Sequence, residues 1–259
     1  MIGKLLRDFF GIIRVAGPAR ALQWAGAVAV TMPAALKTRN LLAADKAMGE
    51  GPFVARHGTA KAKLVGEQAF SGLREIWVRE VYSRDGFLKI PDNGLIVDLG
   101  ANMGNFSAMA LASNPTARVI AVEPGARNVA KFHATMAANG FADRATLCRA
   151  FVGIFSPQQI SDVATDASYT DAERLSEPDF IARYGIERIA FLKCDIEGSE
   201  YFLLDPQSRL LDMADRIGIE VHAFGGDVKA FLAELKRRGF TLDTVIWDGA
   251  DCIALASRS

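Results

Sequence analysis

The strongest constraint on the fold is an alternation. Between residues 95 and 221, short β-branched or leucine-rich runs (95–99, 118–122, 145–150, 189–194 and 216–221) are separated by segments of helical periodicity (105–113, 127–139, 180–184 or 199–204, and later 228–238). Strand, helix and strand at this interval are the pattern of right-handed crossovers in a parallel sheet covered on both faces. The sequence therefore predicts a doubly wound α/β domain. Two further runs, 240–245 and 252–257, flank Asp248-Gly249 and read as an antiparallel hairpin at the C-terminal end.

Length and charge narrow what such a domain does. The 259 residues accommodate one large α/β domain with an appendage, and 50% hydrophobic against 23% charged residues exclude bulk disorder. Lysine plus arginine and aspartate plus glutamate number 30 each, so no net field draws the chain to polyanions and no nucleic-acid partner is expected. Cys148, Cys194 and Cys252 lie in separate apolar runs and read as buried thiols of a cytoplasmic protein.

Three regions follow. Residues 1–50 form an N-terminal helical extension, punctuated by Gly17-Pro18 and by Pro33; residues 51–90 form a linking strand and helix region on the substrate side; residues 91–259 form the main domain. The uncharged stretch 21–36 is shorter than the about 20 residues a membrane span needs, and charges before it argue against a signal peptide. Its basic flanks, Arg14, Arg20, Lys37 and Arg39, leave three uses for residues 1–45: a cap on the domain, a homo-oligomer contact, or a peripheral membrane contact at the inner face.

The turn after the first core strand, Ile96-Val97-Asp98-Leu99-Gly100-Ala101-Asn102-Met103-Gly104, carries glycines four apart and opens a helix. Glycine lets a ligand lie against the main chain at the carboxyl edge of such a sheet. Nicotinamide enzymes use G-x-G-x-x-G, which is absent here, and Asp98 would repel a pyrophosphate. Asp98 instead suits an ammonium, and Glu123, ending the next strand before Pro124, suits a ribose. A nucleoside carrying an amino acid answers both, which is S-adenosylmethionine.

With these residues in view, the chain resembles the FkbM family of S-adenosylmethionine-dependent methyltransferases. The resemblance covers about residues 70–221 and rests on IVDLGANMGNFS, VIAVEPGARN and, more specifically, FLKCDIEGSE and IGIEVH. It implies the seven-stranded class I methyltransferase (Rossmann-like) sheet, with the last strand inserted antiparallel. It implies that Asp98, Gly100, Asn102 and Gly104 line the methionine end of the cofactor, that Glu123 and Pro124 flank the ribose, and that S-adenosylhomocysteine is the product. It also implies an oxygen acceptor, such as a sugar hydroxyl in a glycolipid, polysaccharide or secondary metabolite.

The chemistry then falls to the second pair of strand ends. Deprotonating a hydroxyl during methyl transfer calls for a carboxylate or imidazole within hydrogen-bond reach. Asp195, Glu197 and His222 are the candidate catalytic residues, with Glu220 beside them. The same acids could hold a magnesium or calcium ion, although the motif does not require one. Glu75 and Glu80 are candidates for the cavity mouth. Residues 151–188 look short for a full lid, which shifts the enclosing role to residues 1–90. Methylation of nitrogen or carbon, or a nonenzymatic partner that retains the fold, are the competing readings.

Overall fold

In the computed structural model, which describes residues 2–258, three helices come first: α1 (Ile2–Ala16), α2 (Pro18–Thr38) and α3 (Leu42–Lys46). Gly17 separates α1 from α2 as expected, but Pro33 does not end α2. A proline leaves the carbonyl four residues earlier, that of Ala29, without its donor. Ala29 and Pro33 face solvent, where water serves that carbonyl, while Trp24, Val28 and Ala35 hold both halves of the helix on the core.

A hairpin follows, β1 (Phe53–His57) and β2 (Ala60–Leu64), with alternating burial along both strands. Asn139 clamps its edge, accepting from Lys63 N at 2.7 Å and donating to Lys63 O at 2.8 Å. Then comes α4 (Ala69–Gly72), which runs into a wider helical turn over Leu73–Val78. That turn closes on Arg79 N to Arg74 O at 2.9 Å, a five-residue step. The helix stops there, and Glu80 takes a left-handed conformation with φ 55°.

The main sheet takes its strands from β3 (Leu95–Leu99), α5 (Asn105–Ser113), β4 (Arg118–Val122), α6 (Ala126–Asn139) and β5 (Ala145–Cys148). The run expected as one strand to Ala150 splits at Arg149, whose guanidinium bonds Pro124 O and Ser168 O. Beyond it, β6 (Ala150–Val152) leaves the sheet to pair with β7 (Glu173–Leu175) across α7 (Pro157–Thr165). The chain returns through α8 (Glu177–Tyr184), β8 (Phe191–Cys194), a short 3₁₀ turn over Glu200–Leu204, α9 (Leu210–Met213), β9 (Arg216–Val221), α10 (Val228–Arg237), β10 (Thr241–Asp248) and β11 (Asp251–Ser257).

Strand order is β10-β11-β9-β8-β3-β4-β5. The pairings among β9, β8, β3, β4 and β5 are parallel, and β11 enters antiparallel between β10 and β9. The order reverses at β3 and β8, whose carboxyl ends form the crevice where such sheets bind ligands.

Alternation along the strands divides the core. Val97, Leu99, Leu192, Ile217 and Ile219 face α8 and α10. Ile96, Phe191 and Leu255 face α5, α6, the hairpin and the N-terminal helices. By the same alternation Asp98, Lys193 and Glu220 project toward the N-terminal layer, which therefore roofs the polar strand ends.

Candidate active site

A cavity of about 280 Å³ opens at the carboxyl ends of β3, β4 and β8. Its floor is the turn after β3. Gly100 has φ 77°, and a Cβ there would lie 1.8 Å from the carbonyl oxygen of Asp195. The approach of the neighbouring strand end by itself requires the glycine, which also lines the cavity. Gly104 likewise has φ 79° with the Phe132 ring where a Cβ would stand, and it starts α5 beside the cavity without lining it.

Glu123 lines the cavity and is 5% exposed. Its carboxylate accepts from Gly125 N at 2.8 Å, Asn102 N at 3.0 Å and Asn128 Nδ2 at 3.2 Å. Burial raises its pKa, and these donors oppose the rise. Glu123 therefore ties the β4 end to the β3 turn as well as facing the cavity. Asn102 and Pro124 are also in the wall.

Asp98 is placed differently from the expectation that it contacts the cofactor. It is wholly buried below the cavity, where Ser107 Oγ donates to it at 2.6 Å and Lys193 Nζ stands 3.5 Å away. Lys193 is the link between floor and wall: its ammonium donates to Gly100 O at 2.6 Å and lies 3.6 Å from Asp195. Burial opposes that charge, but Asp195 and Asp98 raise the lysine pKa and keep it protonated.

Asp195 and Glu197 both line the cavity, and Glu197 holds φ 53°. His222 stands behind them. Buried Glu200 accepts from His222 N at 2.6 Å and from Nδ1 at 3.0 Å, leaving Nε2 3.9 Å from both Glu197 and Glu220. Burial disfavours the imidazolium, but Glu200, Glu220 and Asp195 outweigh it and raise the His222 pKa. His222 does not line the cavity and its Nδ1 is engaged by Glu200, so its place is that of a positioning residue behind Asp195 and Glu197 rather than that of the base expected from the sequence. Glu220 shifts upward too, through burial and the charges of Asp195 and Glu75.

Asp195, Glu220 and His222 bring ligand atoms within 4.8 Å of one another, a set able to take a divalent cation. Lys193 already supplies positive charge beside Asp195.

Glu75, expected at the cavity mouth, does line the cavity from the wide turn. Residues not singled out in the sequence also line it: Gln68 just before α4, Ser71 in α4, and Gln159 and Tyr169 from the segment that looks too short for a lid. That segment is anchored on the motif itself: Ser156 Oγ donates to Glu197 O at 2.6 Å and Gln159 Nε2 to Ile196 O at 2.9 Å. Glu80 does not reach the cavity. It pairs with Arg14 and lies 3.5 Å from His57.

A family model described as the methyltransferase FkbM domain matches residues 98–242, more than half of the chain. The chain belongs to the FkbM methyltransferase family. It is an S-adenosylmethionine-dependent methyltransferase with a class I, Rossmann-like α/β sheet.

Among curated proteins, the AMB antimetabolite synthetase AmbE of Pseudomonas aeruginosa is 32% identical over 162 residues, which are 58% of this chain but only 7% of that protein. Two solved structures resemble the fold at a distance. The precorrin-6y C5,15-methyltransferase of Geobacter metallireducens shares 15% identity at TM-score 0.41, covering 67% of this chain and 84% of its own. The M. capricolum TrmK, in complex with S-adenosylhomocysteine, shares 12% at TM-score 0.43, covering 66% and 65%.

The cavity residues of this FkbM methyltransferase fit its cofactor, a sulfonium that also carries an ammonium. Glu75, Glu123, Asp195 and Glu197 line the cavity against one lysine, Lys193. Asn105 in the same wall holds a buried Oδ1 that accepts no hydrogen bond, an acceptor suited to an ammonium.

Proposed function

We propose that the chain methylates a hydroxyl oxygen of a sugar, in a glycolipid, polysaccharide or secondary metabolite. The observation that carries this reading is the carboxylate of Asp195, facing the cavity at the strand end next to the cofactor turn. Methyl transfer is an in-line displacement, so the enzyme gains most from alignment and from removing the acceptor's proton. The acceptor oxygen forms the new C–O bond as the C–S bond breaks, its electron pair going to sulfur and the hydroxyl proton to Asp195. Lys193 holds Asp195 in place, and His222, anchored on Glu200, stands beside Glu197 and Glu220. Glu123 holds the ribose, and Asn105 and the turn over residues 100–103 hold the methionine end.

Asp195→Asn keeps size and polarity and removes the charge. Turnover is expected to fall by about 10² to 10⁴, with cofactor affinity nearly unchanged. The measurement pairs acceptor-dependent release of S-adenosylhomocysteine with mass spectrometry of glycan and glycolipid acceptors. Methyl groups found on nitrogen or carbon, or a full-rate Asp195→Asn enzyme, would overturn the oxygen-acceptor reading. Activity that survives exhaustive chelation would remove the divalent-cation variant.

A further inference from the structure

The N-terminal helices hide one face and present another. On α1, Asp8, Ile12 and Val15 are buried, while Leu6 and Phe10 are 53% and 63% exposed on the opposite side, interleaved with Arg7 and Arg14. On α2, Trp24, Val28 and Ala35 are buried, while Leu22 and Val30, at 67% and 82% exposed, share a stripe with Ala29 and Pro33 that ends at Lys37. These spacings place each exposed set on one helical face.

The charge on this surface has one sign. Residues 3–40 contain Lys4, Arg7, Arg14, Arg20, Lys37 and Arg39, and their single acid, Asp8, is buried and neutralised by Arg74 and Arg79. Of the six, Arg14 pairs with Glu80, and Arg7 lies 4.0 Å from the buried Asp8. No described helix is long and apolar enough to cross a membrane. None of these helical residues lines the cavity.

We infer that the outer faces of α1 and α2 dock on a bilayer containing anionic phospholipid. Apolar side chains flanked by arginine and lysine are what an interfacial helix uses, with the apolar residues in the acyl boundary and the cations among the headgroups. A second copy of the chain is the poorer occupant, because self-complementary pairing would set this cationic surface against itself. Docking here leaves the cavity free and does not depend on the acceptor's identity.

The full chain, mixed with vesicles of phosphatidylcholine alone or with about one third phosphatidylglycerol, tests this by cosedimentation. Binding is expected to the anionic vesicles only, and to weaken at high salt as screening shortens the electrostatic range. Phe10→Glu and Leu22→Glu, both at exposed positions, are each expected to lower that binding by about tenfold. Binding of S-adenosylhomocysteine is expected to stay unchanged, which reports the fold. Equal sedimentation with both vesicle types, or full binding by both glutamate variants, overturns the inference. So does a dimer in light scattering that Phe10→Glu dissociates, since the face would then belong to a second copy.

Discussion

The cofactor half of the molecule and its N-terminal layer are built on opposite principles. Around the cavity, strand ends meet through main chain and short sequence motifs: Gly100 against the Asp195 carbonyl, Glu123 on the amides of Gly125 and Asn102. The N-terminal layer is tied down by a buried ionic network between distant residues. Arg74, 6% exposed, donates to Asp8 at 2.6 Å and to both oxygens of Asp45 at 2.8 and 2.6 Å. Arg79 donates to Asp8 at 2.6 Å, and Trp24 Nε1 to Asp45 at 3.0 Å. The neighbour of Arg74 on the wide turn is Glu75, which faces the cavity. One turn of helix thus binds the layer with one side chain and shapes the site with the next.

The sharpest way to break this comparison is Arg74→Met. It leaves buried Asp45 without a cation and Asp8 with Arg79 as its hydrogen-bonded cation, and removing one partner of such a network costs about 3 to 5 kcal/mol. Urea unfolding is expected to show that loss, and any folded fraction is expected to lose acceptor turnover more than cofactor affinity. Equal loss of both would mean that the two regions are one cooperative unit at the site.

Glu123→Ala probes the other side. Loss of hydrogen bonds to a charged group is expected to weaken S-adenosylmethionine binding by about 1.5 to 3 kcal/mol, read by calorimetry. Unchanged affinity in a folded variant would remove Glu123 from the ribose and leave it only its tie to the turn.

Acidity and alkalinity are expected to act on different regions. Burial alone would raise the Asp8 pKa, but the hydrogen bonds and charges of Arg79 and Arg74 lower it below the usual 3.8. Its contribution to stability is therefore present above that value and lost as pH falls through the depressed pKa. His222 is raised from 6.5 to about 9, so its contribution is full below about 6.5 and lost as pH rises through about 9. Emission from Trp24 and Trp77, both buried in the layer, is expected to change first in acid, and cofactor affinity first in alkali. The reverse order would place the ionic weak points elsewhere.

The smallest expected effect comes from Trp24→Phe, which removes one donor to Asp45 and preserves most of the packing. A loss of about 1 to 2 kcal/mol in urea unfolding, with no change in cofactor affinity, would keep the regions separate. A change in affinity would join them.

The same contrast explains what could be read from the sequence. Strand ends and the glycine turn were legible because their signals are local: apolar period, glycine spacing, an acid closing each strand. The positions of Asp195 and Glu197 in the cavity wall follow from the strand that precedes them. The buried network was not legible, because Asp8, Asp45 and Arg74 look like ordinary charges on amphipathic helices, and nothing within a few residues announces the partner. Glu75 and Glu80 could not be told apart by a 3.6-residue period, since the wide turn breaks that period between them. The inward role of Asp98 is not legible in its own motif, because its partner Lys193, directly across the parallel register, belongs to a strand distant in sequence. Pro33 read as a break because solvent exposure of the freed carbonyl depends on which side of α2 the protein covers.

The contact of Gly100 with the Asp195 carbonyl has an engineering consequence. The spacing of these two strand ends is set by backbone, and with it the distance from the glycine turn to Asp195. The outer walls, residues 68–76 and 151–169, are held by side chains instead: Arg74 in the buried ionic network, and Ser156 and Gln159 on the carbonyls of Glu197 and Ile196. A wall exchanged for the corresponding segment of another family member to change the acceptor range therefore has to keep these anchors.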